Sequence, residues 1–287
     1  MRFLSPTVDP VFKRLFGNKL HTELTRSFLN AVLERKSGAL ITKVAIDDTA
    51  NLLVAPEDKK SFVDLRCTDE KGNQYIVEMQ VSKQPYFLKR ATYYAAFGVV
   101  DQINRLKDYD LLKPVIFIAI VDFELFEDKK LSKALTHHLI TEVETQKQTM
   151  PDLEFHYIEL KKFNKTLEEL ETETDKWIYL IKKADELNAI PREFEGSETF
   201  KNAFEILNES SWSHDERLLY TKLLDLRWQE RIKLKTEREE GKLEGKLEGI
   251  QENKLKVAKS LLLANVDLKI IAEATGLDPE VIKKLKK

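Results

Sequence analysis

The sequence predicts an α/β (α+β) fold, a sheet flanked by helices with a helical C-terminal extension. Three observations carry that prediction. Residues 9–36, DPVFKRLFGNKLHTELTRSFLNAVLERK, place apolar side chains at 12, 15, 16, 20, 24, 28, 29, 32 and 33, the spacing of a helix face. Residues 61–82, SFVDLRCTDEKGNQYIVEMQVS, read as two strands joined by a tight turn. Residues 113–123, KPVIFIAIVDF, are a continuous apolar run of strand length, as in a central strand buried on both faces.

The remaining elements fall around these. Asp9 before Pro10 gives an N-cap followed by proline at the first helical position, and Gly17-Asn18 divides the first helical stretch in two. Residues 41–48 alternate as a strand and 51–60 are a loop approach to the hairpin. Residues 86–106 form a long amphipathic helix. The order is helix, strand, strand, strand, helix, strand. Two more strands are expected within 135–144 and 153–163, and helices within 165–235. EGKLEGKLEGIQE then repeats Gly-Lys-Leu-Glu. Glycine costs about 1 kcal/mol in a helix interior, so a linker or loose coil is expected there; a homo-oligomer contact through the C-terminal region is the second reading. Residues 253–287 read as three short helices, the last opened by Asp278-Pro279, with helix-turn-helix form and lysines at 283, 284, 286 and 287. A small helical cap or oligomerisation unit fits that tail equally.

Composition narrows the function. The chain has 287 residues, 42% of them hydrophobic and 33% charged, with a formal net charge of −2. A uniformly basic nucleic-acid coat is excluded, so contact with nucleic acid must be local. The basic stretches are 10–36, with Lys13, Arg14, Lys19, Arg26, Arg35 and Lys36, and 83–107, with Lys83, Lys89, Arg90, Arg105 and Lys107. No run approaches the ~18 apolar residues of a membrane span. The single cysteine, Cys67, rules out an internal disulfide and suits a reducing, cytoplasmic setting. The five histidines show no zinc-type spacing; His137 and His138 point to opposite faces of a strand and read as ordinary strand residues.

The hairpin carries the chemistry. A turn with Glu70-Lys71-Gly72 at its centre sets Asp69 opposite Asn73, and counting outward sets Asp64 opposite Glu78. Opposite residues share a face with Cβ atoms roughly 4.5–5.5 Å apart. Gln80 lies on that face too. Two ionised carboxylates so placed repel, and a divalent cation removes the penalty. An all-oxygen site suits Mg²⁺. A purely structural reading pairs Asp64 with Arg66 or a lysine and leaves Glu78 on an exposed edge strand.

DPVFKRLFG, DKKSFVDLRCTDEKGNQYIVEMQ and LKRATYYAAFGVVDQI resemble the Rpn family of recombination-promoting nucleases and transposases, within the PD-(D/E)XK nuclease superfamily. The resemblance covers roughly residues 5–235 and extends to the glycine-repeat tail. It implies a restriction-endonuclease-like mixed sheet flanked by helices, and DNA as the substrate. It implies Asp64, Glu78 and the Met79 backbone carbonyl as ligands of Mg²⁺ or Mn²⁺. The usual superfamily lysine is Gln80 here, which can orient water but brings no charge. The missing cation is then sought at Lys83, at Lys13, one turn after Asp9, or at Arg90. Arg90, Tyr93, Tyr94 and Phe97 share a face of the long helix, with Phe97 and Tyr93 assigned to core packing ahead of Tyr94. Asp9 is expected to bind a second ion or hold Lys13. Lys13, Arg14, Lys89 and Arg90 are expected along a DNA track.

The organisation expected is a nuclease core at 1–160, a helical extension at 161–235, the repeat linker at 236–252 and the helical tail at 253–287. The function expected is a Mg²⁺-dependent DNA endonuclease promoting recombination, linked to mobile elements or to defence against foreign DNA. The rival is a weakly active or inactive DNA-binding or scaffold protein acting through its tail.

Overall fold

A computed structural model describes residues 1–35, 39–47, 63–106 and 108–285. The expected loop at 51–60, Ser61 and Phe62 of the hairpin, and Lys36, Lys107, Lys286 and Lys287 lie outside the described residues, as does Asp48 of the first expected strand.

Among the described residues six strands form one mixed sheet: β1 (Val44–Ile46), β2 (Leu65–Asp69), β3 (Gln74–Gln80), β4 (Val115–Val121), β5 (Leu135–Leu139) and β6 (Leu153–Glu159). Their spatial order is β1-β2-β3-β4-β6-β5. β1, β2 and β3 pair antiparallel, β3–β4 and β4–β6 pair parallel, and β5 returns antiparallel along the edge. Every residue of β4 is buried, as its unbroken apolar run requires. The first unit of the chain, Met1–Tyr220, contains the whole sheet.

The hairpin turn takes the form its sequence dictates. Gly72 has φ +86°, a left-handed conformation that a side chain resists. Asp69 N–H donates to Asn73 C=O at 3.0 Å, and Gly72 N–H to Asp69 C=O at 3.0 Å. Leu65 pairs with Val77 and Arg66 with Ile76, so Asp64 falls opposite Glu78 as counted.

Helices cover the sheet. α1 (Asp9–Phe16) and α2 (Thr22–Val32) are separated at Gly17-Asn18 as expected. Asp9 is not the N-cap. Val8 holds that position with extended backbone, and Asp9 already lies within the first turn. Its carboxylate is thereby free to turn to Lys13, 2.9 Å away. α3 (Phe87–Leu106) joins β3 to its parallel neighbour β4. It buries Phe87, Ala91, Tyr94 and Ala95 against Ile76, Val115, Phe117 and Ala119. The approach is close at Gly98, where an added Cβ would meet Val115 Cγ1 at 3.0 Å and Ile76 Cδ1 at 3.4 Å.

α4 (Glu173–Lys183), α5 (Arg192–Glu195) and α6 (Glu198–Leu207) complete a second, aromatic core. Phe12 and Phe16 of α1, Phe28 of α2, Trp177 of α4, Phe194 of α5 and Phe200 and Phe204 of α6 are all essentially inaccessible. Phe16 and Trp177 ring centroids are 5.5 Å apart, and those of Trp177 and Phe200 4.8 Å. Each such ring contributes about 1.5–3 kcal/mol by burial, so α4–α6 belong to the compact unit that also holds the hairpin.

α7 (His214–Leu263) runs through the glycine repeat without a break. The expected loose coil is therefore a helix. Glu, Lys and Leu are strong helix formers, and pairs such as Lys233–Glu237 and Lys235–Glu239 add i,i+4 support. The second unit, Thr221–Lys287, has its own small core, where Ala258 of α7 meets Ile271 of α8 (Leu268–Thr275), Leu277, and Ile282 of α9 (Pro279–Lys284). The first of the three expected tail helices is the end of α7. Asp278 caps α9, its carboxylate accepting from Glu280 N–H at 2.8 Å. Among the described residues no helix is long and apolar enough to cross a membrane.

Candidate active site

Glu78 sits in the interior of the sheet, between β2 and β4, and is 5% exposed. An exposed edge strand is thus ruled out for it. Arg66 is also unavailable to Asp64. Its guanidinium donates to Asp101 at 2.9 Å and to Gln74 at 2.8 Å, and lies 3.4 Å from Asp47.

Asp64 occupies the bend just before β2. Its Oδ2 accepts from Met79 N–H at 2.7 Å, taking the place of a ladder carbonyl beyond the end of the strand. Burial pushes the Asp64 carboxyl up to about 6 against that hydrogen bond, and the neighbouring Asp9 carboxyl raises it further while Lys13 lowers it. Asp9 and Lys13, paired with each other on α1, therefore stand close to Asp64.

Burial likewise pushes the Glu78 carboxyl up to about 8, with the Asp64 charge adding and Arg90 pulling back. Arg90 Nη2 donates to Glu78 Oε1 at 3.1 Å, and its Nη1 donates to Gln84 Oε1. The other oxygen, Glu78 Oε2, is buried with no hydrogen-bond partner among the described residues. A buried acceptor left this way costs about 1–3 kcal/mol, more when charged.

Of the cations sought to replace the superfamily lysine, Arg90 is in contact with Glu78 and Lys13 stands beside Asp64 through Asp9. Lys83 points elsewhere, to Glu127 at 3.2 Å on the surface. Gln80 is half-buried, and its side-chain amide donates to Ser82 C=O at 3.2 Å. The aromatic assignment on α3 is reversed. Tyr94 is buried and Tyr93 is 49% exposed, because the buried stripe runs 87, 91, 94, 98 and Tyr93 falls off it by more than a quarter of a turn. The Arg90 guanidinium lies 5.8 Å from the centre of the Tyr94 ring and 5.8 Å from that of Phe87. Arg14, expected along a DNA track, instead stacks 4.3 Å above Trp212 and donates to Ser211 C=O at 2.9 Å and to Glu216 at 3.2 Å. It fastens α1 to the segment leading into α7. Lys89 is exposed, 5.5 Å from the Tyr86 ring centre. Gln84 escaped the sequence reading, since nothing in its spacing foretells that Arg90 reaches back to it.

Among the described residues no three His, Cys, Asp or Glu side chains are placed to hold an ion by themselves. Two facing carboxylates, one with an unpartnered buried oxygen, nonetheless fit a hard cation that takes the rest of its shell from a backbone carbonyl, water and phosphate.

A model of the PD-(D/E)XK nuclease family transposases matches residues 6–237. The chain belongs to that family. No curated protein and no solved structure matches it. The match takes in the hairpin, α3 and the aromatic core and ends within α7, and the mixed six-stranded sheet is the nuclease-like α/β fold the family implies. Membership brings a nuclease or transposase-like role acting on DNA, and PD-(D/E)XK nucleases generally use divalent metal ions.

Proposed function

We propose that this PD-(D/E)XK protein is a Mg²⁺- or Mn²⁺-dependent DNA endonuclease that hydrolyses phosphodiester bonds, in a reducing, cytoplasmic setting, and promotes recombination, whether in the movement of mobile elements or against foreign DNA. The observation that carries the reading is the buried, unpartnered Glu78 Oε2 directly across the sheet from Asp64.

Asp64 and Glu78 would hold the ion. A strand residue presents its N–H and C=O to the same side, so the Met79 carbonyl faces the flank on which its N–H meets Asp64, which supports it as the third ligand. When bound, the ion polarises the phosphate and lowers the pKa of a coordinated water. Arg90 steers Glu78 by holding Oε1 and leaving Oε2 free. Gln80, on the same face, orients the attacking water through its amide once it leaves Ser82. Lys13, held by Asp9 beside Asp64, supplies the positive charge that Gln80 lacks. Lys89 and Lys13 contact phosphates without choosing sequence. The C-terminal unit serves DNA binding or self-association.

Plasmid nicking with Mg²⁺ tests the reading. Wild type should convert supercoiled to open-circular DNA, and Asp64→Asn should not. Equal nicking by the two would transfer the chemistry elsewhere and favour a scaffold acting through the tail.

A further inference from the structure

The edge of the sheet farthest from β1 holds a second constellation that the nuclease reading leaves unused. His137 of β5 lies directly opposite His156 of β6. Their rings are T-shaped, with centroids 4.8 Å apart at 81°, and the two Nδ1 atoms are 2.6 Å apart. Each outer nitrogen faces a carboxylate. His156 Nε2 is 3.4 Å from Glu154 Oε2, and His137 Nε2 is 3.7 Å from Glu34 Oε2. Gln148 donates to Glu154 Oε1 at 3.2 Å and so helps set that carboxylate. His138 takes no part. It points to Thr136 on the other face and stacks on Phe126.

The protons decide what this arrangement can bind. A neutral imidazole carries one N–H and one lone pair. The Glu154 carboxylate at His156 Nε2 draws that ring's proton outward, which leaves the His156 Nδ1 lone pair facing His137 Nδ1. At 2.6 Å one shared proton joins the two Nδ1 atoms, and a dication can take that proton's place between the two lone pairs. Histidines that ligate metals carry this same outer carboxylate, which fixes the tautomer and raises ligand basicity. We propose that His137 Nδ1 and His156 Nδ1 form a binding site for a borderline transition-metal dication of the zinc class, distinct from the hard-cation site at Asp64 and Glu78. Two Zn–N bonds of about 2.0–2.1 Å at a tetrahedral angle set the nitrogens roughly 3.4 Å apart. The rings must therefore separate by less than about 1 Å, which an edge strand with one neighbour permits. Since no third His, Cys, Asp or Glu among the described residues is placed to join them, water completes the shell; His137, with its side chain 31% exposed, opens the site to solvent while His156 is buried. Imidazole nitrogen selects Zn²⁺ over Mg²⁺. A bound ion would rivet β5 to β6.

The test uses the full chain carrying Asp64→Asn and Glu78→Gln, so that the nuclease carboxylates cannot answer for the histidines. Calorimetric titration with ZnCl₂ should show one equivalent bound. At a hundredfold excess over Kd, Tm should rise by on the order of 5 °C. Adding His137→Ala should weaken binding at least about tenfold and remove the Tm rise. MgCl₂ should produce neither effect. Should His156→Ala fail to fold, ¹⁵N shifts of the two Nδ1 atoms on adding ZnCl₂ identify the ligands in the folded protein. No Zn²⁺ binding in this background, or binding untouched by His137→Ala, overturns the proposal. Mg²⁺-dependent nicking by His137→Ala alone should equal wild type, so a failure here is distinct from a failure of the nuclease assignment.

Discussion

Two buried glutamates lie near the C-terminal ends of two strands of the parallel part of the sheet, on the same face, and they differ in their partners. Glu159 of β6 is wholly inaccessible and fully engaged. Its Oε2 accepts from Leu125 N–H at 2.7 Å and from Phe126 N–H, and its Oε1 accepts from Lys162 at 2.8 Å. Lys162 in turn donates to two carbonyls, of Phe126 and Leu131. Glu78 of β3 has Arg90 on one oxygen and, among the described residues, no hydrogen-bond partner on the other. One glutamate is a staple for the loop after β4. The other is a carboxylate kept short of partners, which folding alone would not favour. Incomplete satisfaction, rather than burial, separates a candidate site residue from a structural one.

The comparison breaks most readily through activity. Glu78→Gln and Asp64→Asn should each lower Mg²⁺-dependent cleavage by about 10³-fold or more while leaving Tm unchanged or higher, since either relieves a repelling pair. A variant that cleaves normally, or one that unfolds, would place Glu78 with Glu159 as a structural residue. Glu159→Ala should show the reverse. It removes the counter-charge of the part-buried Lys162, leaves two amides unmatched and should cost about 3–5 kcal/mol in urea denaturation, with cleavage per folded molecule retained.

Smaller effects sharpen the contrast. Gln80→Leu should lose roughly 10²-fold in single-turnover rate at saturating Mg²⁺, the scale of a positioned orienting group, and Gln80→Lys should keep or raise it. Equal rates for wild type and Gln80→Leu would shift attention to Lys13 and Arg90. The metal-free protein should also titrate in a telling way. An unfolded glutamate loses its proton near pH 4.3, whereas folded Glu78 holds it to about 8 and Asp64 to about 6. Between those limits the folded state binds more protons, so stability falls as pH rises, by on the order of a few kcal/mol in all. Thermal melts should show that decline, and Glu78→Gln should flatten most of it. The smallest effect expected is from deleting residues 236–287. The family match ends at 237 and the compact unit at Tyr220, so nicking chemistry should survive with weaker DNA binding. A folded but inert truncation would make the tail part of the active unit.

The hairpin was legible in the sequence because its turn is local. Gly72 and the pairs counted from it decide which side chains face each other, and no distant residue can change that count. What surrounds Glu78 was less so. Its burial depends on β4 lying alongside, and its pairing on Arg90 reaching across from α3, both set by packing. Tyr93 and Tyr94 were exchanged for the same reason: adjacent aromatics on a helix differ by 100°, and only the line of contact with the sheet chooses between them. Asp9 was misread as a cap because Val8 could serve through its backbone alone. The glycine repeat was misjudged by weighing each glycine and neglecting its neighbours. At Gly241, Gly245 and Gly249 nothing within 4 Å asks for the missing side chain, so these glycines answer to no packing demand in the helix that carries them.

Gly98 governs more than its own contact. Arg90 and Gly98 are eight residues apart on one helix, about 12 Å along its axis. The depth to which α3 settles on Val115 sets the height at which Arg90 meets Glu78. A methyl group at 98 would push the helix outward by a few tenths of an ångström. That is enough to lengthen a 3.1 Å ion pair two turns away, so the tuning of the carboxylate is written partly in a residue with no side chain.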